Sequence, residues 1–246
     1  MLEIVLHGEK IFEVFGFPVT NTILLSWVAT AFLILGAFLL GKKTALVPGR
    51  LQGVIEIAVG GFYDFMNGIL GDAKQSRKHF ALVATIFFFV LANNWIALLP
   101  GLSAVGINEQ TAHGEIFVPL FRTANSDLNM TLIIAIAAIF MVQVIGITTL
   151  GFFKYAKKFF NFTSPIDFFI GILELVSEIA KMISFSFRLF GNIFAGEVLL
   201  MIIAYLLPYG APLPFLLLEL FVGFIQALVF ATLTLVFIQI ATVDHH

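Results

Sequence analysis

The chain has 246 residues, 60% of them hydrophobic and only 11% charged, with a mean hydropathy of +1.05, 30 phenylalanines and a formal net charge of −2. Soluble domains carry about 25% charged residues, so the composition excludes a soluble globular enzyme and leaves almost no chain for a catalytic module outside a membrane. The absence of cysteine excludes disulfides, thiolate metal sites and cysteine nucleophiles, and in a membrane chain the placement of charges informs more than their sum.

Residues 1–17 carry Glu3, Glu9 and Glu13 against Lys10 alone, so they lack the basic start of a signal peptide and the first apolar segment is expected to stay in the mature protein. About 20 apolar residues cross a bilayer. Residues 21–40 predict the first span, closed by Gly41, Lys42 and Lys43, with Pro48 and Gly49 in the loop beyond. Residues 51–70 mix Glu56, Asp64 and Asn67 with apolar side chains and read as an amphipathic helix at the interface, with spanning left open. A second span runs over 80–99, interrupted by Asn93 and Asn94 and stopped by Pro100 and Gly101. Residues 102–127, with Glu109, His113, Glu115 and Arg122, read as a loop.

The third span is 128–153, followed by a basic turn with Lys154, Lys157 and Lys158. Residues 166–207 are too long for one upright span: a continuous helix there would measure about 60 Å, so it is expected to be steeply tilted or broken near Gly191. Pro208, Gly210, Pro212 and Pro214 predict a tight turn, and 215–242 returns as the last helix, making an antiparallel hairpin. The fold class is all-α: a polytopic membrane protein of about five membrane helices plus one interfacial helix. It reads as one membrane domain, with an outer segment over 1–20, peripheral helices over 21–153 and the long helix pair over 166–242.

If the spans alternate, Lys42, Lys43, Arg50, Lys74, Arg77, Lys78, Lys154, Lys157 and Lys158 fall on one side and Lys10 and Arg122 on the other. Basic loops mark the cytoplasmic side, which places the N-terminus outside and the C-terminus inside. No inverted repeat is visible, which weakens a secondary-transporter reading.

Seven charges remain at membrane depth: Asp167, Glu174, Glu178, Lys181, Arg188, Glu197 and Glu219. A charge in hydrocarbon costs at least ~2.5 kcal/mol, so each needs a reason. At about 100° per residue, Glu174, Lys181 and Arg188 share one helix face within about 40°, Asn192 lies a further ~40° round, and Glu197 comes out on the opposite face. On the last helix, Glu219, Gln226 and Thr234 run along one side. Folding the hairpin puts Glu219 in the same outer half as Glu197, where the two carboxylates are candidates for sharing one pocket and exchanging protons.

Bland readings exist for several of these. Lys181 pairs with Glu174 or Glu178 at helical spacing, and Glu178 is equally well a structural charge. Asp167 suits a helix cap, Asn93 and Asn94 suit interhelical hydrogen bonds, and Asp127, with Asn125 and Asn129, suits a cap as well as a channel mouth. Arg188 has no such reading, because a guanidinium keeps its proton and no acid three or four residues away neutralises it. His7, His79, His113, His245 and His246 lie in loops, ends or interfaces, which excludes haem or metal ligation inside the membrane. No HExxH, phosphate-binding glycine loop or GxSxG occurs.

The run RLFGNIFAGE, 188–197, resembles the most characteristic motif of subunit a of F-type ATP synthases. LANNWIALLPG at 91–101, NSDLNMTL at 125–132, PIDFFIGILELVSEIAK at 165–181 and FIQALVFATLTLVFI at 224–238 match in the family's order. The resemblance implies a non-catalytic stator subunit in a bacterial inner membrane or its organellar equivalent, working with a c-ring and peripheral-stalk b subunits to couple proton flow to ATP synthesis, with no cofactor. It implies two offset half-channels separated by Arg188, which holds the passing c-ring carboxylate ionised and blocks leakage; a fixed cation acts on an approaching acid in that sense.

By position, Glu197 and Glu219 match the outer half-channel pair, Asn192 and Gln226 lie near Arg188, and Glu174 with Ser177 matches the inner exit; Asp127, Lys181 and Glu178 are further lining candidates. Many members have histidine at one outer position, whereas both are Glu here, so the pair is expected to titrate as a unit sharing a proton. The alternative is a stand-alone proton or ion channel or ion-coupled transporter, against which the polar residues stop at Arg188 from both directions. An intramembrane enzyme lacks a nucleophile and base pair.

Overall fold

Without water in a bilayer, backbone N–H and C=O groups must pair within their own segment, which favours helices wherever the chain is apolar. The computed structural model describes residues 8–14, 16–41, 48–111, 114–159 and 164–242; Glu3, His7, Lys42, Lys43, His113, His245 and His246, named above, lie outside them. Among the described residues are seven helices: α1 (Asn21–Gly41), α2 (Arg50–Leu70), α3 (Ala73–Ala97), α4 (Leu128–Leu150), α5 (Phe152–Phe159), α6 (Pro165–Leu206) and α7 (Pro212–Thr242). Six, all but α5, are long and apolar enough to cross a membrane. The protein is an all-α polytopic membrane protein.

Two small antiparallel hairpins sit in connecting segments: β1 (Lys10–Val14) with β2 (Phe17–Thr20), and β3 (Gly106–Thr111) with β4 (Gly114–Pro119). The second occupies the stretch read from sequence as a loop. Outside the helical bundle two short strands satisfy each other's backbone groups, a solution that hydropathy alone does not reveal. Helix α3 also begins earlier than expected: the Asp72 carboxylate accepts the Lys74 N–H at 2.8 Å as an N-cap. Lys74, Arg77 and Lys78 therefore stand on its first turns, and His79 is buried there rather than in a loop.

Helix α2 buries Phe62 and Met66, with Phe62 stacked on Phe87 of α3 at 4.4 Å, while Leu51, Val54 and Ile57 are exposed. Helix α6 starts at a Ser164 cap with Pro165 in its first turn, where proline loses nothing, and Asp167 beside it meets the positive helix end. It then runs 42 residues without a break at Gly191. That makes it about 63 Å long, twice the hydrocarbon thickness, so of the two expectations steep tilt is the one left standing. Pro212 and Pro214 are absorbed into the first turn of α7, which shortens the turn to the residues around Gly210, at φ +80°.

The α6–α7 hairpin is antiparallel by its contacts: Phe185 meets Phe230 and Phe237 at ring distances of 4.7 and 5.2 Å, while Gly196 meets Glu219. Its inner face joins α3 and α4 in one core, including Phe87, Val90, Ala135, Ile139, Leu189, Ala227 and Leu235. Small residues at these contacts let the helices approach. The outer face of α6 leaves Phe169, Ile179, Ile183 and Phe187 exposed, with Arg188 among them.

Candidate functional site

Helical spacing puts Ser177, Lys181, Ser184 and Arg188 on one stripe of α6, and α7 supplies Leu233 and Phe237 opposite. Together they line an open groove of about 260 Å³ between the helices. Arg188 is exposed at its end, with Nη2 3.5 Å from the Ser184 hydroxyl. Among the described residues no carboxylate pairs with it. Asn192, one turn on, donates to the Arg188 carbonyl at 3.0 Å, and Gln226 of α7 lines a small crevice against Arg188. Arg188, Asn192 and Gln226 are thus brought together as expected.

Beyond Arg188, toward the α6–α7 turn, lie one buried acid and one half-buried acid. Glu219 of α7 is 6% exposed. Its carboxylate fills the space that a Cβ at Gly196 would occupy, and it lies close enough to Glu197 for the two charges to interact. Helix α3 holds this part of α7 in place: Asn94 Nδ2 donates to the Gly223 carbonyl at 2.9 Å and Trp95 Nε1 to the Leu220 carbonyl at 3.0 Å. Glu197 in turn accepts from Arg122 Nε at 3.2 Å, while its Oε2 is buried with no hydrogen-bond partner among the described residues. Arg122 was read from sequence only as a loop charge. The sole signal was that it and Lys10 are the basic residues expected on the side where a buried acid needs a cation.

Other candidates fall outside both features. Glu174 pairs with Lys158 of α5 at 2.7 Å, one turn beyond the groove. Glu178 is bonded to Gln143 of α4 at 2.8 Å and to Lys181 at 2.8 Å, and Lys181 also lies 5.0 Å over the Phe237 ring. Tyr155 donates to Gln143, and burial first, then the charges of Glu178 and Glu174, push its hydroxyl up to about 12, so it remains a donor at physiological pH. Glu178 therefore ties α4, α5 and α6 together. Asp127 caps α4 through the Asn129 N–H at 2.9 Å and accepts from Gly8 and Thr22 at 3.1 and 3.0 Å, deep in helix packing. Asn93 binds Ser26 of α1, Asn94 also accepts from Asn125, and Thr234 is buried.

The sequence pattern of the ATP synthase A chain family matches residues 23–239, most of the chain and the whole of the groove and pocket. The chain belongs to this family. A subunit a from Moorella thermoacetica is 32% identical over 229 residues, 93% of this chain and 94% of the relative. One from Pelobacter propionicus is 35% identical over 223 residues, 90% of this chain and 87% of the relative. A third, from Propionigenium modestum and described as sodium ion specific, is 35% identical over 227 residues, 92% of this chain and 75% of the relative. As an ATP synthase A chain the protein is an integral membrane subunit of the ATP synthase complex.

Proposed function

We propose that the chain is the proton-translocating stator of the membrane motor, offering two offset half-channels to a c-ring and separating them with Arg188. The observation that carries this reading is the position of Arg188: an open polar groove ends at it from one direction, and the half-buried Glu197 and buried Glu219 lie beyond it in the other. The groove, with Ser177 and, farther along, Glu174, is the cytoplasmic half-channel. The Glu197/Glu219 pocket is the outer one, with the N-terminus outside and the C-terminus inside. The exposed apolar face of α6 around Arg188 receives the c-ring, helices α1 to α4 are peripheral, and b subunits hold the chain still. The subunit itself catalyses no covalent step.

An exposed guanidinium with no carboxylate partner among the described residues is poised for a carboxylate that arrives from elsewhere. It favours the ionised form of a passing ring acid, which releases its proton on one side and cannot carry it straight across. The test is passive proton flux into vesicles carrying the whole complex, without ATP. Arg188→Ala is expected to abolish ATP-driven pumping and open a leak that depends on the c-ring. Retained pumping, or equal flux through this chain reconstituted alone, would overturn the reading in favour of a self-contained channel. Running the assay with and without Na⁺ decides between the proton and the ion named for the Propionigenium relative.

A further inference from the structure

We infer that Arg122 is a positioning residue of the outer pocket, which engages one oxygen of Glu197 and leaves the other as the acceptor for a proton carried by Glu219. The inference rests on the proposal above that Glu197 and Glu219 form the outer half-channel. Three observations carry it. The Arg122 Nε to Glu197 Oε1 contact of 3.2 Å joins the segment before α4 to α6 across 75 residues, with the two side chains only 12% and 25% exposed. The second oxygen of Glu197 is buried without a partner among the described residues. The neighbouring Glu219 is buried, and its carboxylate is seated against Gly196, the residue before Glu197.

A buried carboxylate oxygen left unpaired is costly unless a donor reaches it. The Arg122 Nε contact is to Oε1, and the titratable side chain that the facing helix α7 brings beside this residue is Glu219. The two acids are thereby made unequal. Glu197 has Oε1 engaged by a permanent cation, and a proton arriving from water binds a Glu219 oxygen and hydrogen-bonds to Glu197 Oε2. It then leaves Glu219 for the ring acid, with only O–H bonds made and broken. Arg122 touches no transferred proton; it fixes the acceptor.

The experiment uses the whole ATP synthase in vesicles, with subunit content measured for each variant and ATP-driven proton pumping as readout. Arg122→Gln is expected to slow pumping about tenfold, Arg122→Lys to retain most of it, and Glu197→Gln to slow it about tenfold. The double variant Arg122→Gln/Glu197→Gln is expected to be no slower than Glu197→Gln, because removing the acid removes the need for its partner; independent sites would multiply to about 100-fold. Arg122→Gln within twofold of wild type, or a multiplicative double variant, overturns the inference. If Arg122→Gln fails to assemble, a double variant that assembles and pumps like Glu197→Gln supports it, and one that does not assemble overturns it. Glu197→Gln pumping at the wild-type rate would instead take down the outer half-channel reading itself, which keeps the two failures apart.

Discussion

The two polar regions on the α6–α7 pair are built on opposite plans. Toward α5, Ser177, Lys181, Ser184 and Arg188 stand in an open groove of about 260 Å³, and the acids near it are already held, Glu178 by Gln143 and Lys181 and Glu174 by Lys158. Toward the α6–α7 turn Glu219 is buried, its carboxylate is seated against Gly196, and the half-buried Glu197 is held by Arg122. An open groove admits water, which carries protons without help from titratable side chains. A buried acid such as Glu219 has little room for water around it, so on the proposed path a proton there rests on the side chain. On the proposed path the pocket acids carry the proton, whereas Glu178 beside the groove is committed to helix packing.

The sharpest way to break this contrast is to remove the buried acid. Glu219→Gln is expected to slow ATP synthesis in energised vesicles at least ~tenfold, and a rate near wild type would show that the pocket is not on the path. Next in size is Gly196→Ala. Alanine favours a helix over glycine by about 1 kcal/mol, yet its Cβ collides with the Glu219 carboxylate, so pumping is expected to fall severalfold and to recover when the shorter Glu219→Asp is added. No recovery would mean that the collision relaxes elsewhere. Filling the groove by Ser184→Leu is expected to cost about twofold to threefold in flux, since water keeps other routes through an open space; a loss as large as that of Glu219→Gln would mean that the groove is a narrow file. The smallest flux effect belongs to Glu178→Gln, expected to pump normally while losing about 1–2 kcal/mol of stability in thermal unfolding of the detergent-solubilised subunit, from its bonds to Gln143 and Lys181.

Much of this arrangement is legible in the sequence. An apolar run of twice the spanning length, a cluster of prolines and a second run predict the α6–α7 hairpin, because apolar length and turn chemistry are local properties. Arg188 stands out for the same reason, as a charge with no neighbour at helical spacing. The Arg122 to Glu197 pair was not legible, since its members are 75 residues apart and meet only because the β3–β4 hairpin and the turn before α4 return the chain to the bundle. Glu178 stayed ambiguous for a related reason: its decisive partners, Gln143 and through it Tyr155, lie on other helices. The start of α3 was missed because its first turns are charged, and the Asp72 cap outweighs low hydropathy.

The unbroken course of α6 through Gly191 turns the nine residues from Arg188 to Glu197 into a gauge. At helical rise and twist they amount to about 13.5 Å along the axis and half a revolution about it, and no hinge exists in between to adjust either quantity. The relation between the two is therefore one of phase, set by residue count alone. A single residue inserted after Gly191 would swing Glu197 by about 100° away from Glu219 and Arg122, whereas seven would bring it back to within about 20° but carry it some 10.5 Å too far. The length of this stretch is therefore as much a part of the arrangement as the side chains at its two ends.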